Sequence, residues 1–386
     1  MSKKMFINDF LTKYGSKTFK EMPFCEVDAV ICAALSYADY LASSTMNKKD
    51  LWNDKIPLSY FNKHETVKLL SRRYLTGPVD YYNFFKHVLS SKRYDELRIT
   101  KIENHFNVDK NEQYFSMVFE FDERRIIVFR GTDNTIAGWK EDFLSAIDPI
   151  IPAQKYALEY VNKVLKGDKD HDYYIIGHSK GGNLAYYSVL NTSVENLKRI
   201  KFCYNFDGNG FKDDKYNYHL YKDKIMKMVP SDDVVGCLFD TFNFKYVIVS
   251  DSFSVWAHDM FSWRIDPETG NTFLRSKTGL TRFSKAFQIA LNYWVENLSK
   301  EDLEDFIVFF FNIVDLGKPN TLKDLIGSLK FNLTAYLKSL VDYPKDKKRK
   351  LREMARNYIK DYAKAYLSME LDRYSSVIKS TKNLKR

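Results

Sequence analysis

The chain has 386 residues, of which 45% are hydrophobic and 28% charged, with four cysteines and a formal net charge of +10. That length fits two or three domains, and the composition is that of a globular chain able to bury a large core, which excludes a disordered or fibrous protein. Cys25, Cys32, Cys203 and Cys237 show no C-x-x-C spacing. Neither a zinc site nor a disulfide framework is indicated, so a reduced, cytoplasmic protein is expected.

The start, MSKKMFINDFLTKYG, is basic, but Asn8 and Asp9 interrupt any apolar stretch, so no signal peptide is expected. Residues 1–95 read as helical. In EVDAVICAALSYADYLASS the apolar residues Val27, Val30, Ile31, Ala34, Leu35, Ala38 and Leu41 recur at spacings of three and four, one face of a helix. Two further helices are expected around 66–75 and 79–89. The period then changes to that of strands. YFSMVFEFD (114–122) and RRIIVFRGT (124–132) are rich in β-formers and nearly contiguous, as in a hairpin.

An amphipathic helix, AQKYALEYVNKVL, ends at Gly167, and the strand YYIIG follows it. RIKFCYNFDGNG, KIMKMVPSDD and KYVIVSDS each run from a β-rich stretch into a polar or glycine-bearing turn. Strands alternating with helices predict an α/β protein with a mostly parallel sheet covered on both faces. From about residue 279 the strand signal ends and four helical segments follow, around 279–298, 300–317, 322–340 and 347–374. We expect a domain over 1–275 and a helical region over 276–386. No wholly apolar run, 306–311 included, approaches the roughly 20 residues that span a bilayer.

The chemistry concentrates in Gly177-His178-Ser179-Lys180-Gly181, a G-x-S-x-G turn between a strand and a helix. Such a turn is the nucleophile elbow: the glycines allow a strained serine backbone and close strand–helix packing, and the hydroxyl stands exposed at the sheet edge. The helix N-terminus behind it favours developing negative charge.

With VFRGTDNTIAGWKEDF (128–143) upstream, IIGHSKGGNLA resembles the class 3, fungal-type lipases, which read F-R-G-[ST] and then G-H-S-x-G-G at these points. The chain is also similar to an uncharacterised bacterial group of lipase-like proteins. The matching stretches are Glu26-Val27-Asp28, residues 35–40, and His258-Asp259-Met260-Phe261-Ser262-Trp263. The lipase resemblance spans roughly 110–265, the bacterial one nearly the whole chain. It implies an α/β-hydrolase fold with an N-terminal helical extension and a C-terminal helical region. It also implies an oxyanion hole built from the backbone N–H groups of Thr132 and Lys180, with Asp142 a candidate to hold the Thr132 hydroxyl.

A base must activate Ser179. In this fold the chain order is serine, acid, histidine, which leaves His219 and His258. His258 follows the last strand and is the choice; His219 sits in a connecting loop and His178 is expected to pack beneath the elbow. For the acid the candidates are Asp233, which ends KIMKMVP and matches the D-x-V of the lipases, then Asp207 in FDGNG, then Asp232. Whichever serves would orient His258 and stabilise its imidazolium. Lys180 stands where the lipases carry an apolar residue. A cation there opposes the helix dipole, and is expected either to favour an anionic substrate or simply to face solvent.

Residues 345–386 carry 14 basic and 5 acidic residues, against 46 and 45 in the rest: a nearly neutral body with a basic tail. Within the tail Leu351, Ala355, Tyr358, Tyr362, Ala365 and Met369 form one helical stripe. This predicts a helix docked by that stripe, with a basic face either solvated or drawn to an anionic membrane at about 1 kcal/mol per lysine or arginine. No nucleic-acid reading motif accompanies the charge.

These readings converge on a serine esterase or lipase acting on an ester-bearing small molecule or lipid, without metal or cofactor. It is expected in the cytoplasm or peripheral at the inner membrane surface. A thioesterase on the same machinery, or a degenerate fold serving as a membrane- or protein-binding module, are the alternatives.

Overall fold

Eight strands pair in chain order into a single sheet: β1 (Ile56–Pro57), β2 (Arg98–Asn107), β3 (Glu112–Phe121), β4 (Arg124–Phe129), β5 (Tyr173–His178), β6 (Ile200–Phe206), β7 (Ile225–Pro230) and β8 (Tyr246–Ile248). The computed structural model describes residues 4–71, 81–107, 112–132, 148, 150–211, 216–240, 245–316 and 344–383. β1 to β4 run antiparallel and β4 to β8 parallel. The expected hairpin is β3–β4, closed where Phe121 pairs with Arg124. The mostly parallel sheet expected from the sequence is therefore present.

Alternation along the strands sets the two faces. On β4, Ile126 and Val128 enter one core while Ile127 and Phe129 enter the other. The first core is covered by α1 (Ile7–Tyr14), α2 (Glu26–Leu35), α3 (His64–Leu70) and α4 (Tyr81–Leu89). The second is covered by α5 (Pro152–Gly167) and α6 (Lys180–Asn191), and the short α7 (Val194–Arg199) leads into β6. The N-terminal helices are thus one layer of the sandwich. Residues 72–80 of the two helices expected at 66–75 and 79–89 lie outside the described residues.

β2 was not expected, since RITKIENHFN mixes charged and apolar residues. It lies between β1 and β3 near the antiparallel edge of the sheet, where one face and its outer end meet solvent. Half-buried strands of this kind tolerate polar residues, which blurs their pattern.

Asp28 ties α2 to the rest. Its fully buried carboxylate takes a bidentate pair from Arg93, Nε to Oδ1 at 2.7 Å and Nη2 to Oδ2 at 2.6 Å. Tyr94 Oη donates to Oδ1 at 2.7 Å and the Cys25 amide to Oδ2 at 2.9 Å. A buried carboxylate is tolerable because every oxygen meets a donor.

At the C-terminal end α8 (Arg282–Glu296), α9 (Lys300–Leu316) and α10 (Lys345–Asn383) share a small core of Trp294, Val295, Leu303, Ile307 and Met354. The helix expected around 322–340 lies outside the described residues. On α10, Met354 is buried where the sequence pointed to Ala355, which is exposed. The 3-then-4 step Leu351–Met354–Tyr358 buries a larger side chain than the 4-then-3 step through Ala355. Two lysines of the tail are engaged locally, Lys347 with Asp305 at 2.6 Å and Lys350 with Asp302. Among the described residues no helix is long and apolar enough to cross a membrane.

Candidate active site

Ser179 caps the N-terminus of α6 with φ +60° and ψ −134°, a backbone that side-chain-bearing residues rarely adopt. The turn is forced by close approach. A methyl group on Gly177 would meet the Gly181 carbonyl oxygen at 2.0 Å, so strand and helix can touch only if this residue has no side chain. The Ser179 amide donates to the Phe206 carbonyl at 2.9 Å, and the Asp207 amide to that of Met228 at 2.8 Å. These bonds staple the ends of β5, β6 and β7 together, so Ser179 and Asp207 emerge on one sheet edge. Asp207 also has a left-handed backbone, φ +57°.

His258 closes a single 3₁₀ turn, Ser254–His258, beyond β8. Its Nδ1 lies 2.6 Å from Asp207 Oδ2. Its carbonyl accepts a hydrogen bond from His178 Nε2 at 2.9 Å, and the two imidazoles lie 4.4 Å apart. Because a carbonyl only accepts, His178 carries its hydrogen on Nε2. Its Nδ1 then accepts from Tyr37 Oη at 2.8 Å. Burial first, and the neighbouring His258 second, hold His178 well below the usual imidazole range, so it is a neutral strut. Trp263, fully buried, donates from Nε1 to the Ala257 carbonyl at 2.8 Å and braces the same turn. The His258–Trp263 segment noted in the sequence is thus a histidine with its own buttress.

The three aspartates separate cleanly. Asp207 is the one in contact with His258. Asp233 lies behind it, fully buried, accepting from the Val235 amide at 2.8 Å and the Cys237 amide at 3.2 Å. Asp232, partly exposed, accepts from the Ser231 hydroxyl at 3.0 Å. Burial pushes the Asp207 carboxyl up to about 8, opposed by the adjoining Asp233 carboxyl and by Lys227. Burial and the Asp207 charge push Asp233 well above the usual range. Two carboxyl groups buried side by side do not both ionise. His219 is exposed on a short turn, Tyr218–Tyr221.

Gly131 packs directly on the elbow. A methyl group there would lie 2.2 Å from Tyr37 Oη, 2.5 Å from the His178 carbonyl and 3.0 Å from Ser179 Cβ. Thr132, buried, follows immediately. Arg130 fastens the loop from behind, donating to the carbonyls of Ser36 at 2.5 Å and Ala38 at 2.7 Å. The Lys180 amide opens α6, at the positive end of its dipole. Asp142 lies outside the described residues.

The Lys180 side chain does not face solvent. It is buried, and its ammonium donates to the Gln113 backbone carbonyl and to Gln113 Oε1, both at 2.7 Å. Gln113 Nε2 in turn reaches the Gly131 carbonyl at 3.4 Å. The lysine therefore ties the elbow to β3 and the Gly131 turn and is not presented to a ligand.

Asp207, Asp233 and His258 also offer three ligand atoms within 4.8 Å of one another. The direct His258–Asp207 hydrogen bond occupies two of the atoms a metal ion would need. Sequence reasoning missed Tyr37, Arg130 and Gln113 as supports of the site. Their signal was the arrival of polar side chains inside otherwise apolar elements.

The model of the Mbeg1-like family matches residues 88–312. The chain belongs to the Mbeg1-like family. The match runs from the end of α4 through β2–β8 to α9, and takes in Ser179, Asp207, Asp233 and His258. No curated protein matches this Mbeg1-like chain. Among solved structures it is similar to Rhizopus niveus lipase II, at 18% identity over 39% of this chain and 67% of that one, with a TM-score of 0.28. A native Rhizomucor miehei lipase propeptide complex is 15% identical over 58% of this chain and 68% of that one, TM-score 0.30. Lip2 lipase from Yarrowia lipolytica is 12% identical over 51% and 82%, TM-score 0.29. Overlaps this shallow carry no argument about chemistry, which rests on the chain's own residues.

Proposed function

We propose that this protein is a serine hydrolase of carboxylic esters, lipid-like esters included, working through an acyl-enzyme on Ser179. The observation that carries the reading is a conjunction at one sheet edge. A serine with φ +60° on a strand-to-helix turn shares that edge with Asp207, whose buried carboxyl lies 2.6 Å from His258 Nδ1.

In this reading Ser179 Oγ attacks the ester carbonyl while His258 Nε2 takes its proton. Asp207 is the acid, because its oxygen meets Nδ1, keeps the hydrogen there and stabilises the imidazolium that forms. The amides of Thr132 and Lys180 receive the oxyanion, each such donor being worth on the order of 10²–10³ in rate. Collapse of the tetrahedral species expels the alcohol, which takes the proton back from His258. Water then attacks the acyl-enzyme by the same route and frees the acid. The strain at Ser179, about 1–3 kcal/mol for such a backbone, is consistent with a residue held for reactivity.

A fluorophosphonate probe and a p-nitrophenyl ester series graded by chain length test the reading. Labelling at Ser179, lost in Ser179→Ala and weakened in His258→Ala, is the expected result. A folded protein that neither labels nor turns over any ester would be a hydrolase-shaped binding module. Faster turnover of matched thioesters than of oxygen esters would move the assignment to a thioesterase.

A further inference from the structure

Asp207 Oδ1 presents a puzzle. It is buried and has no hydrogen-bond donor among the described residues. Its neighbours are the Gly236 amide and the carboxyl of Asp233. An unpaired buried carboxylate oxygen is costly, and the group able to relieve it is a second carboxyl that carries a proton. We propose that Asp233 is a positioning residue that acts in its protonated form, its carboxyl O–H donating to Asp207 Oδ1 so that the negative charge stays on the oxygen facing His258. The role in turnover rests on the hydrolase reading above; the shared proton does not.

Three observations support the assignment. Backbone N–H groups fix the Asp233 carboxyl in place, and Asp207 Oδ1 is the oxygen beside it still open to accept its proton. His258 Nδ1 adjoins Asp207, so an imidazolium formed there is best served by an anion on Asp207. The charges around the pair also balance with one proton present. Lys227, fully buried, bonds the Gly236 carbonyl at 2.7 Å and Asp240 at 3.0 Å; Lys245 meets Asp240 at 2.5 Å. Two lysines then face the carboxylates Asp240 and Asp207, and a third carboxylate would have no partner. Among the described residues the remaining titratable groups against the pair are His258 and the Cys237 thiol, which burial keeps protonated. His178 lies one step further away, neutral, against His258.

Reciprocal asparagines test this, because an amide can donate like a protonated carboxyl but cannot carry charge. Asp233→Ala, which removes the donor, should lower kcat/KM on a p-nitrophenyl ester about tenfold, Asp233→Asn should recover part of that loss, and Asp207→Asn should lose about 10⁴, the scale of removing a triad acid. The opposite pattern, or equal losses, would overturn the proposal.

A second arm needs no activity. A carboxyl raised in the folded state stabilises fully below its unfolded value, near 4. That contribution is lost as pH rises toward the folded value of Asp233, which burial and the Asp207 charge hold well above the usual carboxyl range. Urea-unfolding midpoints of the wild type should therefore fall from pH 5 to pH 8 relative to those of Asp233→Asn. Parallel curves would overturn the shared proton. If Asp233→Asn fails to fold, a wild-type midpoint that rises steadily over that window would do the same. If the wild type hydrolyses no ester, the hydrolase reading fails while the stability comparison still judges this one.

Discussion

Tyr37→Phe isolates the strut that holds His258 in place. The hydroxyl donates to His178 Nδ1 at 2.8 Å in a site where both rings are buried. Phenylalanine fits the same space, so the change removes a donor and nothing else of size. His178 cannot relax by moving its hydrogen to Nδ1, because Nε2 would then point a lone pair at the His258 carbonyl 2.9 Å away. The variant must leave Nδ1 unsatisfied, a cost of about 1–3 kcal/mol. Urea unfolding should report that loss directly. If the whole of it fell on the arrangement that holds His258, the rate would drop by roughly 5- to 150-fold at 1.4 kcal/mol per tenfold, and this range is the ceiling on the fall in kcat. Tyr81→Phe is the control: its hydroxyl is also buried and donates to the Ala34 carbonyl at 2.7 Å, away from His258. It should cost stability and leave kcat unchanged. A Tyr37→Phe protein as stable and as active as the wild type would refute the strut.

Asp28→Ala strands the fully buried Arg93 guanidinium and the Tyr94 hydroxyl, and should destabilise by about 3–5 kcal/mol in urea unfolding. Ser179→Gly should abolish fluorophosphonate labelling while raising the unfolding free energy by about 1 kcal/mol, since glycine adopts the φ +60° backbone without strain. Lys180→Met should leave any preference between neutral and anionic esters unaltered, because the ammonium is sequestered on Gln113. It should still cost about 1–3 kcal/mol of stability for the carbonyl left unpaired; a selective loss on anionic esters would return Lys180 to the substrate side.

Much of the sheet was legible because its inner strands are buried on both faces and their residues report little else. VFRGT and YYIIGHSKGG could be placed from local pattern alone, as could the hairpin before them. β2 could not, since its polar positions belong to a partly solvated strand. The tail stripe was one residue out at Ala355 for a related reason: 3,4 and 4,3 spacings describe nearly the same helical face, and the partner helix selects between them.

What the sequence determined by itself was the elbow. Gly177, Ser179 and Gly181 leave the backbone one way to pass from strand to helix, and that is a matter of steric contact within five residues. Which carboxyl meets His258 was settled only by tertiary structure. Asp207, Asp232 and Asp233 are chemically alike and all close to strand ends. The choice among them depends on the stagger of β6 against β7 and on where a 3₁₀ turn, fastened by His178 and Trp263, delivers the imidazole. The Lys180 side chain was decided in the same way: the helix start exposes its backbone to the site, and the carbonyl of a strand distant in sequence takes its charge away.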